Sequence, residues 1–239
     1  MAVIVGLYLY DSTLLLYRNQ GILELASREE WRVTFGSSGF QLLGKEIYVP
    51  NPVMPHRPLF LLSWDFEGQM SEAKEDFAGH AKAIEPLRPI VWCMAFALFV
   101  LLPMGFFTKL GEVALILAIS LLYISIIVAL TWLWFKRAKF RLSPRQFAAL
   151  AFEFVVCSPF AVNLVRRLTL NVAAGEDLVH ASCRLQGEER WNTTRENLVA
   201  RLDERIEDER EDSERMAKLV EHRRRLMEQF ISCPLPKSS

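Results

Sequence analysis

The sequence predicts a membrane α+β protein. Its parts are a small N-terminal β-rich cytoplasmic domain, a two-helix transmembrane hairpin, interfacial or re-entrant helices and a long charged C-terminal helix. Between residues 89 and 135 the only charged side chains are Lys109 and Glu112. Residues 1–67 alternate short apolar runs with turn-forming residues, and the last fifty or so residues are rich in charged side chains. This segregation decides the class, because the average composition, 51% hydrophobic with 28 basic and 28 acidic residues, is close to that of a soluble chain.

Residues 1–67 are expected to form a small antiparallel sheet or barrel. Apolar runs rich in Val, Ile, Tyr and Phe, separated by turn-forming residues, are typical of short strands. Such runs are 3–10, 14–17, 22–26, 32–35, 40–43, 47–49 and 59–64. The segment 36–39, Gly-Ser-Ser-Gly, has no lysine of a phosphate-binding loop, so a hairpin turn is the expected structure. A connector helix is predicted at 68–88, with Ser71 as its N-cap.

Residues 89–107 and 113–135 are predicted to be transmembrane helices. Each run is close to the roughly 20 apolar residues that a helix needs to cross a bilayer. The segment between them is so short that the two helices must be antiparallel. Basic residues flank the outer ends of the hairpin, whereas the turn contains one lysine; these flanking residues are Lys74, Lys82, Arg88, Lys136, Arg137, Lys139, Arg141 and Arg145. The positive-inside rule therefore places both termini in the cytoplasm, and the expected location is a bacterial inner membrane.

Residues 136–170 are predicted to form a basic linker followed by interfacial or re-entrant helices. Ser143-Pro144 with Gln146 has the pattern of a capping box, and Ser158-Pro159 resembles a second helix start. A single third span is the alternative, which would place Arg166, Arg167 and the tail outside the cell. Glu153 lies within this apolar run, and an acid in such a position is costly and often functional. Glu153 is therefore a candidate functional membrane acid, unless it points to headgroups or water.

The C-terminal part is divided into a mixed segment at 171–191, a charged helix at 192–230 and a disordered tail at 231–239. Short strands or loops are expected at 168–172 and 178–185. Two apolar stripes on the charged helix have no predicted use inside the chain, so they are candidates for docking a partner. The docking candidates are Leu198, Leu202, Ile206, Met216, Leu219, Leu226 and Phe230.

The sequence contains little that indicates catalysis. We find no P-loop, no nucleophile elbow and no metal-binding motif, so no catalytic residue, cofactor or metal is predicted. A net charge of zero argues against nucleic-acid binding. The four cysteines are far apart, and all are expected to be free thiols in a reducing compartment; they are Cys93, Cys157, Cys183 and Cys233.

Four basic side chains are candidate contacts for an anion or a lipid headgroup. His56 and Arg57 lie between two prolines that would hold them in place, and Arg166 and Arg167 follow the apolar run at its end. All four are expected near the cytoplasmic surface of the membrane, where anionic headgroups attract basic side chains.

The function predicted from these features is that of a membrane-anchored, non-catalytic accessory or scaffold subunit of a larger inner-membrane complex. Its expected partners are membrane lipids and either another membrane protein or further copies of itself. An oligomeric transporter or channel subunit is the alternative, although neither span has an ionisable residue at mid-membrane. A membrane-bound enzyme acting on lipid through Glu153 is a third possibility.

Overall fold

The structure is a computed structural model. It describes residues 1–26, 30–64, 75–109, 111–172, 176–208 and 213–232. Within these residues the protein is mixed α+β, with two small sheets and two apolar helices that could span a membrane. The chain divides into two compact units. The first comprises Met1–Arg18, Phe35–Leu61 and Asp76–Ala173, and the second comprises Asn19–Thr34, Leu62–Glu75 and Ala174–Ser239.

The strands are all in the N-terminal part of the chain, and helices make up most of the rest. The strands are β1 Leu14–Leu16, β2 Gln20–Leu25, β3 Trp31–Thr34, β4 Ser37–Leu42, β5 Lys45–Tyr48 and β6 Leu59–Ser63. The helices are α1 Ala2–Ser12, α2 Phe77–Ile84, α3 Leu87–Phe96, α4 Leu102–Phe107, α5 Gly111–Lys136, α6 Pro144–Val156, α7 Ser158–Ala161, α8 Leu164–Leu170, α9 Leu178–Leu185, α10 Glu188–Asp208 and α11 Ser213–Ser232. A π-helical segment, Ala97–Leu101, joins α3 to α4, so that Leu87–Phe107 is one helix of 21 residues.

The prediction of a strand at residues 3–10 is wrong, because these residues form helix α1. The run is apolar throughout, and periodicity cannot distinguish a short buried strand from a short helix. Packing decides the matter. The Tyr8 ring lies 5.1 Å from the Phe99 ring in an edge contact, and the Tyr8 hydroxyl donates a hydrogen bond to the Pro52 carbonyl at 2.6 Å.

The other predicted strands are confirmed to within three residues at each end, but they form two sheets instead of one. One sheet has the order β1-β5-β4 and the other has the order β3-β2-β6. Strands β1 and β4 are antiparallel to β5, and β3 is antiparallel to β2. The turn between β4 and β5 has Leu43 at φ 53° and Gly44 at φ 74°. Two positive φ angles in a two-residue loop match the twist of the strands that it joins.

The two apolar helices, Leu87–Phe107 and Gly111–Lys136, pack against each other and confirm that the predicted spans are helical. Gly105 allows the close approach near their connection, because a Cβ atom there would lie only 2.6 Å from Leu115 Cγ. One third of the most apolar 18-residue window of each helix is buried in the chain. The remaining surface of both helices is mostly exposed and apolar.

Residues 144–170 form three short helices, α6, α7 and α8, of 13, 4 and 7 residues. The predicted capping box is present, since Ser143 and Gln146 exchange hydrogen bonds at the start of α6. None of the three helices is long enough to cross a bilayer, which removes the basis for a third span. Helix α6 runs antiparallel beside α5, because Phe147 lies 5.1 Å from Trp134 and the Val155 carbonyl accepts a bond from Tyr123 at 3.3 Å.

The expectation of strands or loops is wrong at 168–170 and 178–185, where α8 and α9 lie, whereas residues 171–172 follow α8 as a turn. Helix α9 contacts β2 and β3 within the second unit. The Asp177 carboxylate caps α9 by accepting a hydrogen bond from the Val179 N–H at 2.7 Å. Connector helix α2 begins at Phe77, and the carboxylate of the preceding Asp76 caps it. The predicted cap, Ser71, lies outside the described residues.

The single charged helix predicted at 192–230 is in fact two helices, α10 and α11. They lie antiparallel. Trp191 near the start of α10 packs edge-on against Phe230 near the end of α11 at 5.5 Å, while Asp203 accepts a hydrogen bond from Arg223 at 2.7 Å. A single straight helix cannot bring its two apolar stripes together, so the sequence predicts that neither stripe packs inside the chain. The predicted tail is described only as far as Ser232, which ends α11.

The expectation of four free thiols is wrong for Cys183, which forms a disulfide bond. Cys93 and Cys157 are free, and Cys233 lies outside the described residues. Sequence spacing does not reveal such a bond, because pairing depends on distance in space. Disulfides persist in oxidising compartments, so this bond opposes the reducing compartment inferred from the spacing.

Candidate functional site: a polar network beside the hairpin

A group of polar side chains joins four segments of the first unit. The end of α1 provides Asp11 and Ser12, helix α6 provides Glu153, and α8 with its N-cap provides Asn163, Arg166 and Arg167. The fourth segment is the proline-rich loop at 50–58. We call these six side chains the α1–α8 network. It brings together three residues singled out in the sequence, Glu153, Arg166 and Arg167.

Arg166 is the centre of the buried part of the network, and only 3% of its surface is exposed. Its Nη1 donates to Ser12 Oγ at 3.3 Å and to Asn163 Oδ1 at 3.2 Å. Its Nη2 donates to the carbonyl oxygens of Asn51 at 2.5 Å and Met54 at 3.1 Å. A buried charge is costly unless it is hydrogen-bonded, so these contacts fix the loop against α8.

Arg167 binds two carboxylates. Its Nε donates to Asp11 Oδ1 at 3.1 Å, and its two terminal nitrogens pair with Asp11 and with Glu153. The Asp11 side chain is 7% exposed, whereas that of Glu153 is 47% exposed. Burial by itself would lower the pKa of Arg167, but the hydrogen bonds that Arg167 donates to Asp11 and Glu153 outweigh burial and raise it. Arg167 is therefore a permanent cation held between two acids.

Asn163 and Ser12 connect the two arginines. The Asn163 amide nitrogen donates to Asp11 Oδ2 at 2.9 Å, and its oxygen accepts from Arg166. Ser12 Oγ lies 3.1 Å from Asn163 Oδ1 and 2.8 Å from the Tyr8 carbonyl. Both side chains are buried, and their hydrogen bonds connect α8 to the end of α1.

These contacts have consequences for chemistry. Glu153 forms an ion pair with the Arg167 guanidinium, so its carboxylate already binds a group of this chain. The Ser12 hydroxyl is surrounded by amide, carbonyl and guanidinium groups, which cannot act as a general base. In the part of the chain that the structure describes, no group of three His, Cys, Asp or Glu side chains could hold a metal ion. The arrangement joins α1, α6, α8 and the loop at 50–58.

The remaining headgroup candidates lie on the loop at 50–58. The His56 ring is 5.3 Å from the ring of Trp92, which lies near the start of the first apolar helix. Burial lowers the pKa of His56, and the positive charges of Arg88, Arg57 and Arg166 lower it further. His56 is therefore neutral at pH 7 and adds no charge toward an anion. Arg166 and Arg167 are occupied within the network.

The docking candidates in the second unit are placed differently from the prediction. Leu198, Leu202, Leu226 and Phe230 are buried, so these four cannot dock a partner. They pack inside the chain because α10 and α11 fold back on each other. Three further candidates, Ile206, Met216 and Leu219, are half-buried.

Sequence reasoning missed Asp11, Ser12 and Asn163. In the sequence, Asp11-Ser12 follows the apolar run at 3–10, and Asn163 interrupts the apolar run that ends before Arg166. A usable signal was present, since each polar group ends or interrupts an apolar run without a loop composition around it. Comparison with protein-family models, with curated proteins and with solved structures gives no match to this chain.

Proposed function

We propose that this chain is a membrane-anchored, non-catalytic accessory or scaffold subunit of a larger inner-membrane complex. The observation that carries the non-catalytic part is the α1–α8 network. The charged side chains that could have formed a site, Glu153, Arg166 and Arg167, bind one another, Asp11 and backbone carbonyls. Their contacts join segments of this chain, so these side chains hold the fold together.

Membrane insertion of the hairpin is supported by its exposed surface. A core helix of a soluble protein is mostly buried, whereas only one third of each apolar window here is buried. Exposed large side chains lie on several sides of α5, including Ile116, Ile124 and Phe135. Such a surface is stable in lipid and costly in water.

The half-length helix α6 extends this membrane surface. It follows α5 from Trp134 down to Tyr123, near the middle of that helix, and its exposed side chains are apolar at Phe152, Val155 and Val156. Helices α7 and α8 then lead back. We infer that α6–α8 form a re-entrant segment that enters and leaves on the same side, and that both termini are cytoplasmic.

Partner docking is assigned to the outer face of α11. Val220 and Met227 are 49% and 42% exposed, and they lie two turns apart on the same side of the helix. The partner is a cytoplasmic surface of another membrane protein, since exposed apolar side chains on a highly charged helix need an apolar counterpart.

The test is purification in mild detergent from native membranes, followed by the mass of the intact assembly. We expect a larger partner at fixed stoichiometry, lost in Val220→Glu and Met227→Glu. Ala200→Glu, which adds the same charge at an exposed position of α10, should retain it. An assembly containing only copies of this chain would overturn the accessory role and favour the oligomeric transporter or channel.

A further inference from the structure

Helix α1 has an exposed apolar surface that the proposed membrane hairpin does not account for. From Met1 to Tyr10 the chain has no charged side chain, and the residues form a helix of 11 residues that ends at Ser12. At 1.5 Å per residue this helix is roughly 16 Å long, about half the thickness of a bilayer core.

One side of α1 is held by the first unit. Tyr8 is buried and Ile4 packs against the same apolar core, to which both long helices contribute. At the C-terminal end, Asp11 and Ser12 belong to the α1–α8 network. Positions 4, 8 and 11 or 12 form one face of a helix, so a single stripe faces the protein.

The other sides of α1 are apolar and uncovered. Val3 is 73% exposed and Tyr10 is 78% exposed, and Val5, Leu7 and Leu9 are exposed as well. A helix that lies on a membrane surface has a polar face toward water. Helix α1 has no polar face before Asp11, which means that its free sides need an apolar environment all round.

The position of α1 indicates what covers it. Tyr8 touches Phe99, which is twelve residues after Leu87 and so roughly 18 Å along the first apolar helix. This is close to the middle of a helix of 21 residues. Helix α1 also contacts α7, which follows α6 beside the middle of α5. The middle of α1 is therefore level with the centre of the proposed spans.

We infer that α1 is a third membrane-embedded element, whose free sides are covered by lipid acyl chains and whose polar end is fixed by Asp11 to Arg167. This inference rests on the proposed membrane insertion of the hairpin. Lipid is the occupant because the Tyr8–Phe99 contact places α1 beside the first apolar helix, whose own exposed side chains are apolar like those of α1. The α1–α8 network lies at the C-terminal end of α1, where this helix of about half the membrane thickness ends inside the protein.

The experiment uses single spin labels on the full chain in vesicles of phosphatidylcholine and phosphatidylglycerol. Labels are placed at Val3→Cys and Leu9→Cys, which lie on different free sides of α1. Ile124→Cys on α5 reports on the spans, and Ala200→Cys on charged helix α10 reports on water. Cys93 and Cys157 are replaced by serine, and this protein without a new cysteine is the blank. Collision rates are measured with oxygen, which enters lipid, and with a nickel chelate, which stays in water.

We expect the oxygen-to-nickel ratio at Val3 and Leu9 to match Ile124 and to exceed Ala200 by roughly tenfold, because the bilayer core excludes water. Nickel accessibility at Val3 and Leu9, with Ile124 still in lipid, would overturn the inference alone. Low collision rates with both reagents at Val3 and Leu9 would also overturn it, since a protein would then cover α1. Nickel accessibility at Ile124 would overturn the proposed membrane insertion itself.

Discussion

Asp11 links the end of α1 to two different residues that follow the hairpin in sequence. It accepts hydrogen bonds from Arg167 and from the Asn163 amide, and its side chain is almost fully buried. Glu153 binds the same arginine, but nearly half of its side chain is exposed. Burial therefore distinguishes the two acids that bind Arg167.

We expect Asp11→Ala to destabilise the protein by about 3–5 kcal/mol, because it removes the buried carboxylate that binds both Arg167 and the Asn163 amide and leaves Arg167 with only the half-exposed Glu153. Glu153→Gln should cost about 1 kcal/mol or less, since exposed ion pairs are weak. Both are measured as free energies of unfolding in mixed detergent micelles. Equal losses in the two variants would contradict this assignment and return Glu153 to consideration as the functional acid.

Asp177 is the acid whose titration should affect stability most clearly. Burial raises its pKa from 3.8 to about 6, although the Val179 N–H and the nearby His180 act in the opposite direction. The folded state therefore binds more protons than the unfolded state between about pH 4 and 6, and stability falls as pH rises through this window.

Asp177→Asn keeps an oxygen that can cap α9 but has no proton to lose. We expect this variant to lack the fall in stability between pH 4 and 6 and to exceed wild type at pH 7 by at most about 3 kcal/mol. The readout is chemical unfolding at several pH values, with the exposed Glu196→Gln as control. An unchanged pH profile in Asp177→Asn would rule out Asp177 as the source.

At the scale of elements, the close contact between α4 and α5 depends on Gly105. A Cβ atom at this position would meet Leu115 Cγ at 2.6 Å and the Leu115 backbone nitrogen at 3.1 Å. A flexible side chain can move aside, but a backbone atom of a helix cannot do so without shifting the helix.

Gly105→Val is expected to separate the two helices locally and to cost about 1–3 kcal/mol through overpacking. Gly6→Ala in α1 is the matched control, because nothing lies within 4 Å of its Cβ position and Ala favours a helix. Detergent unfolding of the two variants compares them directly. Wild-type stability in Gly105→Val would show that the helices are not in close contact there.

The predicted elements agree with the structure to different degrees. They disagree where an element depends on packing between residues that are far apart in the chain. The capping box at Ser143 is local, and it is present as predicted. The strand at 3–10 and the single helix at 192–230 are wrong, because α1 is selected by its contact with Phe99 and α10 by its contact with α11. Local patterns contain no information about such contacts.

At the scale of the whole molecule, the orientation of the hairpin has two opposing indicators. The basic flanks favour cytoplasmic termini, whereas the disulfide at Cys183 favours an oxidising compartment. We give more weight to the basic flanks, because several basic residues on both sides of the hairpin favour the same orientation.

In intact spheroplasts, we expect an impermeant maleimide to label Lys109→Cys in the turn and to leave Ala200→Cys unlabelled until lysis. Both positions are exposed, so accessibility depends on the side of the membrane alone. Labelling of the C93S/C157S parent, which keeps Cys183 and Cys233, is measured in parallel and subtracted. The reverse pattern would place the termini outside and would agree with a stable disulfide at Cys183.

The sequence by itself determined the two apolar helices, six of the strands, the helix start at Ser143 and the absence of a known catalytic motif. These features depend on residues that are near one another in the chain, where hydrophobic length, turn residues and caps act directly. Only the tertiary structure decided that residues 2–12 are helical, that the charged region folds back on itself and that Arg167 joins Asp11 to Glu153. Those outcomes arise from contacts between residues up to 156 positions apart, and their energies depend on which surfaces meet when the chain is folded.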